Sequence, residues 1–227
     1  MLPGLFPLGA GSSRVERTFT AGPINNSDAT TYTFTAASLG TASADRHLAI
    51  FVCSDNGDSS YSLNSITVAG TDITSSLADS NQVAAGDFRI NLFVVAFPTG
   101  TSGNVVVTFS EAISGCGIVI YALTGLKSTT LVDVAKPIDI PVSETISVSS
   151  GGVVLACAFE LVDSGTATAW SFTAGVTADD DSIVGGSFLM GCASEEIMGA
   201  NSSYSVQWDD NGTSIAGTRV GLIASLR

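Results

Sequence analysis

Residues 31–37 read TYTFTAA, and this stretch decides the fold class. Tyr32, Phe34 and Ala36 alternate with Thr31, Thr33 and Thr35. Successive side chains of a strand point to opposite faces, so the segment has one apolar face and one small polar face. Ser203–Trp208 repeats the pattern, with Tyr204, Val206 and Trp208 opposed to Ser203, Ser205 and Gln207. Leu48–Cys53, Leu92–Phe97 and Val153–Leu161 are apolar runs instead, as expected of central strands covered on both sides.

Working outward, strand signals recur at short intervals between clusters of Gly, Asn, Asp and Ser. The segments before the midpoint are Val15–Ala21, Thr31–Ala37, Leu48–Cys53, Ser65–Val68, Phe88–Phe97, Asn104–Phe109 and Gly117–Leu123. After it come Thr145–Val148, Val153–Leu161, Ala169–Thr173, Ser187–Ala193, Ser203–Trp208 and Arg219–Leu226. Asn56-Gly57 and Asn211-Gly212 are strong short-turn signals. A short helix is expected only within Thr74–Ala85. About thirteen short strands predict an all-β fold: a single antiparallel β-sandwich of jelly-roll type. The segment PIDIP (Pro137–Pro141) is a candidate crossover between two subassemblies, neither of which looks complete alone. One domain, residues 14–227, is therefore expected, preceded by an arm at residues 1–13.

That arm, MLPGLFPLGAGSS, carries Leu2, Leu5, Phe6 and Leu8 between prolines and glycines that favour an extended backbone. It lacks the basic start of a signal peptide, and prolines and glycines interrupt any helical stretch. An extended arm cannot hide its own apolar side chains. Either they tuck onto their own sandwich or stay disordered, or they dock on a neighbouring subunit or larger assembly.

The charge is 8 − 21 = −13, and residues 137–218 contain no Lys or Arg. A surface built from that half repels phosphate, which argues against nucleic acid and anionic membranes as partners. No apolar run is long enough for a transmembrane helix.

His47 is the lone histidine, beside Asp45 and Arg46 at a strand entrance, and no G-x-S-x-G elbow exists to supply a nucleophile. Cys53, Cys116, Cys157 and Cys192 show no metal-ligand spacing. They read as buried thiols, with one or two bridges, or an intersubunit bridge, as the alternative. Glu160, Asp163, Glu195 and Glu196 are the candidates for a carboxylate-based glycoside hydrolase. Its sugar platforms would have to be Trp170 and Trp208, which sit on core-like segments. Asp179-Asp180-Asp181 and Asp209-Asp210 could offer oxygens to calcium but lack EF-hand spacing, and solvated acidic loops explain them as well. Sequons at Asn25, Asn201 and Asn211 are near chance in a chain rich in Ser and Thr. No catalytic residue, metal or cofactor is assigned.

Three phrases carry a resemblance. They are TTYTFTAASLGTASADRHLAIFV (residues 30–52), FPTGTSGNVVVTFSEAISGCGIVIYALTGL (97–126) and SSGGVVLACAF (149–159), with a weaker match in GTRVGLIASLR (217–227). In this order they resemble a recurring type of tailed-bacteriophage and prophage virion protein. The resemblance implies a non-catalytic structural protein located in the virion: a capsid or tail decoration protein, or a fibre-associated subunit. Its partners would be other virion proteins and copies of itself; the arm is not among the matching phrases, but such a role would make sense of Leu2, Leu5, Phe6 and Leu8 as the docking element. The alternative is a receptor- or carbohydrate-binding fibre module that meets a host surface glycan.

Overall fold

The computed structural model describes residues 14–57, 61–83, 88–138, 141–162, 169–185, 188–209 and 214–227. The arm with Leu2, Leu5, Phe6 and Leu8, the acids Asp163 and Asp210, and the Asn211-Gly212 turn lie outside these residues.

Eighteen strands form among the described residues, and they fall into two units. The first contains β1 (Glu16–Ala21), β2 (Ile24–Asn25), β3 (Ala29–Ser38), β4 (His47–Asp55) and β5 (Leu63–Val68). It continues through β6 (Thr71–Asp72), β7 (Leu77–Gln82), β8 (Phe88–Ala96), β9 (Ser102–Ile113) and β10 (Gly115–Thr124). The second contains β11 (Asp133–Ala135), β12 (Val142–Val148), β13 (Val153–Val162) and β14 (Ser171–Ala174). It ends with β15 (Thr177–Gly185), β16 (Phe188–Glu196), β17 (Asn201–Asp209) and β18 (Ser214–Leu226).

The first unit has one sheet ordered β1-β10-β4-β8-β7, with β2 on β10, and a second ordered β3-β9-β5-β6. In the second unit β11-β18-β13-β16-β15 faces β12-β17-β14. Without the two-residue strands β2 and β6, each unit has eight strands, and the two orders coincide. Numbered within a unit, one sheet runs 1-8-3-6-5 and the other 2-7-4. A jelly roll would place the fifth strand beside the fourth; here it lies on the edge of the other sheet, paired with the sixth. The chain is an internal structural repeat. Its trace in the sequence is slight: Val107 and Phe109 on β9 match Val206 and Trp208 on β17.

Strand periodicity explains how the units stack. Leu48, Ile50 and Val52 of β4 enter the core shared with β3 and β9. Ala49, Phe51 and Cys53 point the other way, against Leu155, Cys157 and Met190 of the second unit. On β13 the reverse face carries Val154, Ala156 and Ala158, which pack beneath Trp170, Val206 and Trp208. Four sheets thus enclose three cores, and the two middle sheets are covered on both faces. This is why β4 and β13 are apolar along nearly their whole length. The contact between units is reciprocal: β8 meets β18 and β10 meets β16, so the sixth strand of each unit meets the eighth strand of the other. That is the pattern of an approximate two-fold pair within one chain.

The all-β antiparallel sandwich expected from the sequence is what the chain forms, with four layers in place of two. Each of the thirteen expected segments overlaps a strand. The strands that sequence reading did not anticipate are β2, β6, β7, β11 and β15, all short or polar and at sheet edges or margins. Two local expectations are corrected. Of the Thr74–Ala85 segment, the described residues 74–83 form no α-helix: a 3-10 turn at Thr74–Ser76 leads into β7, whose pairing with β8 overrides weak helical propensity. Ala36 does not share the buried face of Tyr32 and Phe34. A bulge puts it at φ 51, exposed, and Ala37 takes the inward place.

Candidate functional site

Polar chemistry concentrates where the two units meet. Tyr121 lies in the apolar run of β10, and a buried tyrosine needs a partner for its hydroxyl. It donates to Asp179 Oδ2 on β15 at 2.8 Å, and Ser194 Oγ on β16 donates to the same oxygen. Arg17 reaches over from β1 to the Ser194 carbonyl at 3.0 Å. Burial, then the neighbouring Cys192 and Asp179, hold the Tyr121 phenol well above its usual range. A second tie comes from Asn81 on β7, whose amide donates to the carbonyls of Gly221 at 2.7 Å and Pro137 at 3.2 Å. Sequence reading named neither Tyr121, Ser194 nor Asn81; the one signal was a tyrosine inside an otherwise apolar strand.

The four cysteines are free and fully buried. Cys53, Cys157 and Cys192 share the core between the units, with Cys53 Sγ 3.5 Å from Cys157 Sγ. Cys116 faces the other core of its sheet. Among the described residues, no group of three or more His, Cys, Asp and Glu side chains is placed to hold a metal.

Among the described residues, the candidate acids Glu160, Glu195 and Glu196 do not converge as a hydrolase would require. Glu160 is buried on β13, opposite Arg219 of β18. Glu195 and Glu196 pair with Val154 and Val153 at the far end of the same strand. The six-residue separation between Val154 and Glu160 corresponds to about 20 Å, beyond the roughly 5–9.5 Å that glycosidase carboxylates span. Glu195 accepts from Thr177, and Glu196 lies 3.5 Å from Arg14. The acidic triplet is not a loop: Asp179, Asp180 and Asp181 are consecutive on the edge strand β15. Besides the Asp179 contacts, Asp180 accepts from the Ser182 backbone, and the Asp181 carbonyl accepts from the Trp170 N–H. Charges on an edge strand discourage pairing with a further strand. Asp209 closes β17, opposite Ser171.

His47 opens β4, and its Nδ1 lies 3.1 Å from the Asp45 carbonyl, the local strand-end contact its position implies. The Ser43 hydroxyl and the Gly125 N–H hold the Asp45 carboxyl below its usual range. Arg46 beside it is buried and clasps three carbonyls: Phe97 and Thr99 at 2.7 Å and Gly40 at 3.0 Å. Trp170 and Trp208 are core residues, each 2% exposed. They lie on Gly191 and Gly221, where a side chain would collide with an indole.

The described chain begins at one end of the seam between the units. The Val15 N–H donates to the Gly151 carbonyl at 2.8 Å, and Gly125 packs against Arg14. Arg227 bonds the same Gly151 carbonyl, and the Lys127 N–H bonds the Arg227 carbonyl. Arg14, Arg17, Lys127 and Arg227, four of the eight basic residues, thus gather at this end with Glu16, Asp45 and Glu196 among them. Met198, 73% exposed, stands beside Arg14.

No family model matches the chain, and no curated protein does. Among solved structures it is similar to dimeric latent PorU from Porphyromonas gingivalis, at 10% identity over 90% of this chain, with a TM-score of 0.33. The similarity covers 21% of the PorU chain, so this chain spans about a fifth of that protein's length. It is also similar to the plant receptor-like kinase FER, at 10% identity over 96% of this chain and 90% of that one, with a TM-score of 0.24.

Proposed function

We propose that the chain is a non-catalytic structural protein of a tailed-phage virion, a decoration or cementing subunit fastened to capsid or tail through its N-terminal arm. The observation that carries this reading is the place where the arm begins. Residue 14 lies at the seam of the two units, among four of the eight basic side chains and beside an exposed methionine. An apolar arm leaving the end where half of the basic side chains gather is suited to attach that end to a larger body. The resemblance of residues 30–52, 97–126 and 149–159 to virion proteins points the same way.

The remainder of the molecule suits a rigid spacer. Its most reactive groups are occupied in holding layers together: Arg46 on three carbonyls, Asp179 between Tyr121 and Ser194, Asn81 across the units. The outer faces show small polar rows, such as Thr31, Thr33 and Thr35 on β3 and Ser203 and Ser205 on β17.

The test is a purified particle and a chain lacking residues 1–13. A decoration subunit should give a band comparable in intensity to the major capsid protein, and the truncated chain should fold but fail to bind stripped particles. A scarce band together with adsorption to host cells or glycans would favour the receptor-binding module. Release of reducing sugar, abolished by Glu160→Gln, would favour a hydrolase. Undiminished binding by the truncated chain would remove the arm from the proposal.

A further inference from the structure

We infer that Cys53 and Cys157 form a disulfide bond joining the two units when the chain folds in an oxidising medium. Cys53 comes from β4 and Cys157 from β13, and their sulfurs face each other at 3.5 Å across the shared core. A disulfide requires about 2.05 Å, so rotation about the two Cα–Cβ bonds and a small approach of the sheets must close roughly 1.5 Å. Bridges between the sheets of a β-sandwich have a precedent in antibody domains. The inference does not depend on the virion reading.

The geometry also chooses among the cysteines. Cys116 is on the face of β10 that carries Ile118 and Ile120, so a whole sheet separates it from the other three. Cys192 is the cross-strand partner of Cys157 and lies near its thiol, but it is hydrogen-bonded to the Tyr121 hydroxyl and the Asp180 backbone. Cys53 has its sulfur against that of Cys157.

The chemistry balances with oxidised glutathione as the oxidant. One cysteine thiolate attacks it, forming a mixed disulfide and releasing one glutathione thiol. The second cysteine then attacks the mixed disulfide and releases another, so two protein thiols are oxidised and one glutathione disulfide is reduced. Burial holds the Cys157 thiol well above its ordinary range, and both sulfurs are shielded from solvent in the folded chain. The exchange therefore runs during folding, before the units close over the sulfurs.

The full chain is refolded in a buffer of reduced and oxidised glutathione, then denatured, alkylated and weighed intact. The expected product has lost two hydrogen atoms and alkylates at two of its four cysteines. Digestion after Arg, Lys and Glu without reduction should link the peptide 47–89, which holds Cys53, to 145–160, which holds Cys157. A Cys192→Ala chain should form the same link, and a Cys53→Ala chain should not. Four alkylated cysteines after oxidative refolding would overturn the inference. So would a link from 145–160 to 161–195 (Cys192), or from 47–89 to 112–127 (Cys116).

Discussion

Replacing Gly191 by alanine tests whether the stack is held by glycine seats for indoles. A Cβ at Gly191 of β16 would lie 2.4 Å from Trp170 Cδ1, 2.8 Å from Cγ and 3.0 Å from Cβ. Carbon atoms in ordinary contact sit at about 3.5 Å or more, so ring or strand must retreat by roughly 1 Å. The ring has nowhere to go. It is 2% exposed, and the cavity lined by Trp170, Trp208 and Val142 holds only about 10 Å³, room for one water. Overpacking of this kind costs ~1–3 kcal/mol, while replacing a strand glycine returns ~0.5–1 kcal/mol of backbone entropy. The clash belongs to the upper part of its range, so a net loss of ~1.5–2 kcal/mol is expected for Gly191→Ala. Gly199→Ala is the control, because nothing lies within 4 Å of its would-be Cβ, and it should be neutral or slightly stabilising. Trp170→Leu should cost ~3 kcal/mol or more alone. In the double variant Gly191→Ala should add almost nothing, a coupling of ~1–2 kcal/mol. Urea unfolding followed by circular dichroism and by tryptophan fluorescence reads all four chains. Equal midpoints for Gly191→Ala and Gly199→Ala, or additive losses in the double variant, would refute the glycine-seat reasoning.

Asn81→Ala should cost ~2–3 kcal/mol in the same assay, since it deletes two buried bonds and strands the carbonyls of Gly221 and Pro137. A loss under ~0.5 kcal/mol would mean that this tie between the units contributes little. Burial, and next the neighbouring Cys116, raise the Tyr32 phenol from 10.0 to about 12. The unfolded chain then loses its proton first, so the contribution of Tyr32 to stability is complete below pH 10 and falls as pH rises towards 12. Urea midpoints measured from pH 9 to 12 should decline over that window. A Tyr32→Phe chain should decline less steeply, and equal slopes would show that Tyr32 is not responsible.

The fold was legible where side-chain alternation is local. Thirteen segments could be placed because each carries its own period-two or apolar signature, and the doubly covered β4 and β13 announced themselves as apolar runs. The edge strands were not legible. Leu77–Gln82 and Thr177–Gly185 have polar sequences because an edge strand faces water, and they take strand form only by pairing with β8 and β16. The number of layers was hidden too: periodicity says that a face is apolar, not which other face covers it. The repeat escaped because the units share strand order far more than residues. Of the candidate site residues, the positions of His47, Trp170 and Trp208 followed from their local segments. The ties through Arg46, Asn81 and Tyr121 did not, because each joins groups more than fifty residues apart.

The doubled architecture has a physical cause that bears on what the chain can be. Taken alone, the first unit would present Phe51, Leu92, Val94, Val119, Tyr121 and Leu123 on the outside of its β1-β10-β4-β8-β7 sheet. Burying each of these against the second unit contributes ~1.5–3 kcal/mol, so together they match the entire ~5–15 kcal/mol by which a domain is stable. The second unit has the reciprocal need, through Leu155, Phe159, Met190, Leu222 and Leu226. Each sandwich alone would turn an apolar sheet face to water, and in the intact chain the two middle sheets cover one another. Recognition is left to the outer sheets, the edges and the ends. The edge strand β15 carries Asp180 and Asp181, and the sheet faces of β3 and β17 are rows of hydroxyls. The end at Arg14 differs from these: it combines basic side chains, an exposed methionine and the attachment point of the apolar arm. Of the surfaces left to it, that end differs most in chemistry from the rest, which is the ground for the proposal that the molecule is a fastened part.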